Sequence, residues 1–266
     1  MIHRRHLIAG LGGLGLIAAQ AGRACAADAD RWLAYEGRLR ARMSDGGGGR
    51  FDDGFAADLT KQTNSFRLDQ GLAPLADDAD LSAAARAHVA DMAARAYFDH
   101  RSPEGFNSGV RTGLLIRTPL RIYGENLASQ MHPDGKVLPV QTIDGWKNSP
   151  GHRQNMLNTD FSRVGHAVVR RGNTWLSAAV FGSRDPRAIT PLPLRADGAA
   201  VKAVTMADHA AQAFMLSEPD ADPSGATYRL DAPAPAVPPG AWRLRPVTLL
   251  GNGIFEITFG PIFAAA

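Results

Sequence analysis

The chain has 266 residues, 45% of them hydrophobic, which is enough apolar material for a real core and more than one small domain needs. Its 29 basic and 26 acidic residues give a formal +3, but Arg4, Arg5 and Arg23 fall in a predicted export signal that holds no acid, so the remainder balances at zero. That balance gives no electrostatic basis for binding nucleic acid or a membrane surface. The one cysteine, Cys25, lies in the same segment, which excludes thiol catalysis and disulfide stapling in the mature chain.

Residues 1–26 read as the signal. His3-Arg4-Arg5-His6 is a basic start, Leu7 to Ala19 is an apolar run too short to span a bilayer, and Ala24-Cys25-Ala26 has the small-x-small spacing of a signal peptidase site. Cleavage is expected after Ala26, with no transmembrane segment in the mature protein. The Arg4-Arg5 pair and the glycine-diluted run point to the twin-arginine route. Arg23-Ala24 before Cys25 makes a poor lipobox. The GxGxxG of Gly10 to Gly15 has no strand before it and is no dinucleotide fingerprint.

Residues 27–52 are expected to form a short helix over Asp28 to Arg42, followed by a flexible break at Gly46 to Gly49. Phe55, Leu59 and Phe66 share one helical face, with Asp52 or Asp53 as cap and Gly71 as stop. Asp80 is the expected cap of a second helix whose inner stripe is Leu81, Ala84, Ala85, His88 and Met92, so His88 reads as a hydrogen-bonded core histidine. Ser102-Pro103-Glu104-Gly105 makes a turn. A third helix is expected over Val140 to Asn148, with Val140, Ile143 and Trp146 inward.

Proline cannot continue that helix but suits the first turn of a new one, so Ser149 reads as N-cap and Pro150 as N1. His152 then stands at N3, where the helix dipole disfavours its protonation. Strands are predicted at Val164 to Val169 and Thr174 to Phe181, joined at Gly172-Asn173. From residue 186 prolines mark linkers. They flank an apolar, helical Val201 to Leu216 and two strands, Trp242 to Leu250 and Ile254 to Phe259, around Gly251-Asn252-Gly253.

No GxSxG, HExxH, CxxC or GxxxxGK[ST] occurs. What remains is a dispersed series: Asn64-Ser65-Phe66-Arg67 with Gly71 to Leu75, Tyr97 to Gly105, Gly124-Glu125-Asn126-Leu127-Ala128, Trp146 to Asn155, and Val164-Gly165. In that order, over about residues 53–183, it resembles the bacterial branch of the CAP superfamily (cysteine-rich secretory, antigen 5 and pathogenesis-related proteins; the SCP domain). The resemblance implies an α+β fold, a three-layer α-β-α sandwich with a small antiparallel sheet, over residues 53–185. Residues 186–266 then form a proline-rich extension with a β-hairpin.

The resemblance also implies a cavity where His100, Glu125 and His152 match three of four family positions. Ser149 stands near the fourth, which is acidic in eukaryotic members. Arg111 and Asn126 are read as supports, the first by an ion pair and the second by fixing a loop behind Glu125. His166, in a strand, is left out of the site. Two imidazoles and one carboxylate suit a single divalent ion, zinc above others, held weakly without the fourth ligand.

Three readings stay open. The first is a secreted or periplasmic, non-catalytic binding module for a small apolar ligand, a peptide or an envelope component. The second is a metal-dependent periplasmic hydrolase with Glu125 as base, and the third a structural network. A monomer is expected.

Overall fold

The computed structural model describes the backbone of residues 2–3, 6–9 and 25–266, except 133, 135, 186, 187 and 189, and side chains from residue 29 on. Most of the predicted signal, including Arg4, Arg5 and the glycine-rich run, lies outside the described residues. The elements are β1 (Ile2–His3), β2 (His6–Ala9), α1 (Cys25–Asp45), β3 (Arg50–Phe51), α2 (Asp53–Asp69), β4 (Ala76–Asp77), α3 (Ala79–Arg95), α4 (Ser108–Leu115) and β5 (Ile122–Met131). They continue with α5 (Pro139–Asn148), α6 (Pro150–Leu157), β6 (Arg163–Arg171), β7 (Thr174–Ser183), β8 (Arg195–Ala196), α7 (Gly198–Met206), β9 (Ala213–Ser217), β10 (Thr227–Arg229), β11 (Ala241–Gly251), β12 (Ile254–Ile257) and β13 (Ile262–Ala265).

The chain divides into two compact units. One gathers β1, Gly37–Arg111 and Tyr123–Ser183; the other gathers β2, the first part of α1, Thr112–Ile122 and Arg184–Ala266. The break between the units falls at Ser183–Arg184, and Thr112–Ile122 groups with the second unit.

The first unit is built on a sheet ordered β1-β5-β7-β6-β3, with β4 parallel to β6. Strands β6 and β7 pair in unbroken register from Arg163↔Gly182 to Arg171↔Thr174 around the expected turn, where Gly172 has φ +58°. Side chains alternate across a strand, and β6 shows where the layers lie. His166 hydrogen-bonds Thr60 Oγ1 on α2 (2.9 Å) and stacks on Trp146 of α5, so that face looks to α2 and α5. On the opposite face, a Cβ at Gly165 would sit 2.0 Å from Ser82 N on α3. The sheet therefore lies between an α2–α5 layer and α3, which is the three-layer α+β sandwich.

Local chemistry explains the helices. Asp52 caps α2 by accepting from Phe55 N (2.9 Å), and Phe55, Leu59 and Phe66 are buried on its inner face. The cap of α3 is Asp78, not Asp80, because Asp78 Oδ1 reaches both Asp80 N and Leu81 N. The predicted stripe of Leu81, Ala84, Ala85, His88 and Met92 is buried. In α5, Ile143 and Trp146 are buried, whereas Val140 is 43% exposed: it stands in the first turn, beyond the edge of the core.

The Gly46 to Gly49 stretch is an ordered turn and not a flexible break. Asp45 accepts from Gly47 N, and Gly47 (φ +64°) lies so close to α3 that a Cβ there would be 1.9 Å from Ala90 O. Two of the sequence motifs also prove to be clamps. Asn64 exchanges hydrogen bonds with the Leu75 backbone, and Arg67, almost fully buried, donates to Ala73 O, Met156 O and Asn158 O. Together they tie α2 to the chain before α3 and to the end of α6.

The second unit is more than a small extension. It carries a sheet ordered β10-β9-β11-β12-β2, joined by β13 and β8, over a core of Val201, Val204, Phe214, Leu216, Leu244 and Phe263. The predicted helix over Val201 to Leu216 stops at Met206, and Ala213–Ser217 becomes β9. Ala207 is the C-cap of the helix, and β9 pairs with β11. The β11–β12 hairpin forms as expected, with positive φ at Gly251, Asn252 and Gly253.

Candidate functional site

Glu125 anchors the site. It belongs to β5 and not to a loop, and a glycine before it is required: a Cβ at Gly124 would lie 2.8 Å from Phe161 Cζ and 3.0 Å from Asn155 Oδ1. Its carboxylate is buried and receives Arg111 through one nitrogen, Nη2 lying 2.9 Å from Oε1 and 2.7 Å from Oε2. The same guanidinium donates through Nη1 to His100 O (2.8 Å), so one arginine from α4 fixes both the acid and the histidine-bearing loop.

His100 Nδ1 lies 2.7 Å from Glu125 Oε1. Burial alone would raise the Glu125 pKa, but Arg111, with His88 and His100, holds it well below the usual carboxylate range. An ionised carboxylate only accepts, so His100 Nδ1 carries the hydrogen and Nε2 is the nitrogen left for a ligand. The His100 side chain is 38% exposed against 2% for Glu125.

His152 stands where the sequence predicts, at the third position of α6 after Pro150. Burial, and then the charge of nearby His100, lower its pKa, so it is neutral at pH 7. Its carbonyl accepts from Asn126 Nδ2 (3.0 Å). Asn155 donates to Asn126 Oδ1 (2.7 Å) and Glu125 O (3.1 Å), which fastens α6 to β5. Ser149 is the N-cap by position only: its carbonyl accepts from Arg153 N, and its hydroxyl makes no capping bond. Arg153 lies over the Phe66 ring (5.0 Å).

Beneath the His100 loop, His88 Nε2 donates to Asp99 O (3.0 Å). Burial first, then Arg111, push its pKa down to about 3, so it is a neutral core imidazole. His166 is likewise lowered to about 3 by burial and takes no part in the cluster. Glu104 pairs with Arg38 and Arg95 behind the turn, and Gly105 there has φ +89°.

The predicted members His100, Glu125, Arg111, Asn126 and His152 thus fall in one linked network, with Ser149 at its edge. Sequence reasoning missed Asn155, although it lies in a quoted motif, and missed that Arg111 takes both Glu125 oxygens. The donor set does not fit the divalent ion that the resemblance implied. Among the described residues no group of three or more His, Cys, Asp or Glu side chains is placed to hold a metal ion. A guanidinium already neutralises the Glu125 carboxylate, so a cation there would meet a positive charge 2.7 Å from its oxygen ligand.

A sandwich of this layering, with two histidines and an acid gathered from a loop, a strand and a helix start, is the arrangement that the resemblance implied. The sequence profile of the CAP family, the cysteine-rich secretory protein family, matches residues 60–181, so this stretch of the chain carries the signature of a CAP domain. It is similar to the uncharacterized protein YkwD of Bacillus subtilis (39% identity over 120 residues, 44% of this chain and 43% of that protein). It is also similar to the uncharacterized membrane protein YlbC of the same organism (32% over 111 residues, 41% and 30%). The chain thus spans less than half the length of the curated relatives it matches.

Among solved structures, an extracellular SCP-domain protein of Bacillus anthracis is similar at 29% identity with TM-score 0.44, covering 50% of this chain and 41% of that one. An outer surface protein of Borrelia burgdorferi is similar at 21% with TM-score 0.46, covering 52% and 99%. Among the described residues no helix is long and apolar enough to cross a membrane.

Proposed function

We propose that the protein is an exported, non-catalytic binding module whose CAP domain receives a small ligand, a peptide or an envelope component at the His100 and His152 imidazoles. One observation carries this reading: Glu125 is spent. Its oxygens take two hydrogen bonds from Arg111 and one from His100, and its lowered pKa makes it a poor base at neutral pH. The hydrolase alternative needs that carboxylate as ligand or base. The two imidazoles remain, each half-exposed, with His100 Nε2 unspent on Glu125 and His152 neutral. They suit reversible hydrogen bonding.

Export is supported by the basic-apolar-small pattern of residues 1–26. Cleavage after Ala26 removes β1 from the β5 edge, beside Glu125. The test is calorimetric titration of zinc near pH 7 into the protein and its His100→Ala and His152→Ala variants. No saturable binding that depends on the two histidines is expected. One-to-one binding lost in both variants would overturn the non-catalytic reading and favour the metal hydrolase.

Ligand capture is tested by native mass spectrometry after incubation with an envelope extract: a retained adduct is expected, absent from both variants.

A further inference from the structure

A second site lies in the first unit. A groove of about 640 Å³ is lined by Gly48 to Asp53 on one side and Arg170, Arg171 and Gly172 on the other. Its volume comes from residues without side chains. A Cβ at Gly48 or Gly172 would meet nothing within 4 Å, while Gly47 and Gly49 hold the floor against Ala90 O and Arg170 O, where a Cβ would lie 1.9 and 2.8 Å away.

Arg50 and Arg170 are direct partners across the antiparallel β3–β6 pair. Residues opposite one another in such a pair share a face with their Cβ atoms about 5 Å apart, and like charges there repel. The carboxylates of the groove do not relieve this pair. Asp52 is committed to the Phe55 N–H as the cap of α2, and Asp53 is bound to Arg86, whose guanidinium lies over Phe51. Arg170 stacks on Trp175 (4.5 Å) and spends only Nε, on Gly172 O. Arg50 has no side-chain partner among the described residues, and Arg171 is held by Ala93 O. The groove therefore presents two guanidiniums, a stacking platform that fixes one of them, and, among the described residues, no carboxylate paired with either.

We propose that this groove binds a phosphate-bearing ligand, with Arg50 and Arg170 bridged by the phosphate oxygens. Arginine's planar fork matches phosphate bidentately, and a shared dianion turns the cross-strand repulsion into attraction. The glycines let the phosphate approach the backbone without a side chain in the way. Nothing in this reading depends on the His100–His152 cluster.

The probe is inorganic pyrophosphate, titrated calorimetrically at matched ionic strength into the protein and its Arg50→Gln, Arg170→Gln and Arg195→Gln variants. Arg195 is an exposed arginine in the second unit, so its substitution makes the same change in charge outside the groove. Saturable binding weakened at least tenfold in Arg50→Gln and Arg170→Gln, and kept in Arg195→Gln, is expected. A parallel arm measures sedimentation with phosphatidylglycerol–phosphatidylcholine vesicles. Vesicle binding lost in the same two variants assigns the phosphate to a lipid headgroup, and pyrophosphate binding alone assigns it to a soluble ligand. Failure to bind in both arms, or equal binding by all three variants, overturns the proposal. Arg50 is exposed, so loss of binding in Arg50→Gln is not a loss of fold.

Discussion

Replacing Arg111 by methionine tests the central ion pair. The substitution keeps side-chain bulk but leaves Glu125, 2% exposed, without its cation. Breaking a buried pair by removing one partner costs about 3–5 kcal/mol. The His100 and Phe106 carbonyls also lose their donor, at about 1 kcal/mol each before water compensates. A loss of about 4 kcal/mol or more at pH 7.5 is expected from urea denaturation followed by tryptophan fluorescence.

The pH dependence has a definite sign. In the wild type the folded-state pKa of Glu125 lies below its unfolded value, so the pair's contribution is present above the unfolded pKa and is lost only as pH falls through the depressed one. In Arg111→Met burial becomes the leading influence, and the folded-state pKa rises above the unfolded one. The penalty is then greatest above that raised pKa and shrinks as Glu125 takes up a proton, so the gap to wild type is narrower at pH 5 than at pH 7.5. Arg111→Met/Glu125→Leu is expected to recover most of the loss, because no charge stays buried. A loss under about 1 kcal/mol, or an equal gap at the two pH values, would refute the reasoning.

Three further outcomes are expected. Gly165→Ala forces a Cβ to 2.0 Å from Ser82 N, a backbone atom that cannot step aside, and lowers stability by about 1–3 kcal/mol or more, read from the urea midpoint. Asn126→Ala frees His152 O and leaves Asn155 Nδ2 without one acceptor, costing about 1–3 kcal/mol. Its imidazole resonances in NMR should move at His152 more than at His100. His166 is neutral when folded, with pKa about 3 against an ordinary 6.5, so it contributes stability that is present above pH 6.5 and drains away as pH falls towards 3. His166→Asn is expected to flatten the stability–pH slope in that window by about 1.4 kcal/mol per pH unit, and an unchanged slope would show that His166 charges in the folded state.

The sequence by itself determined the parts that depend on short-range chemistry. Helical spacing located the buried faces of α2 and α3, Gly172-Asn173 placed the β6–β7 turn, and Ser149-Pro150 broke the chain into α5 and α6 with His152 at the third position. The ordered motifs marked the CAP domain and four linked site residues, His100, Glu125, Asn126 and His152, with Arg111 read beside them as a support. Tertiary structure alone decided what those residues do to one another. Arg111 and Glu125 are 14 positions apart, and no local periodicity states that one guanidinium takes both oxygens of the acid.

The same limit explains the other differences. Gly46 to Gly49 looks flexible until α3 lies against it, Val140 looks buried until the core edge is known, and Ala213–Ser217 extends a helical pattern until β11 offers it a partner. Propensity is worth tenths of a kilocalorie per residue, whereas a packed neighbour or a strand partner is worth more, so the long-range contact prevails wherever the two disagree.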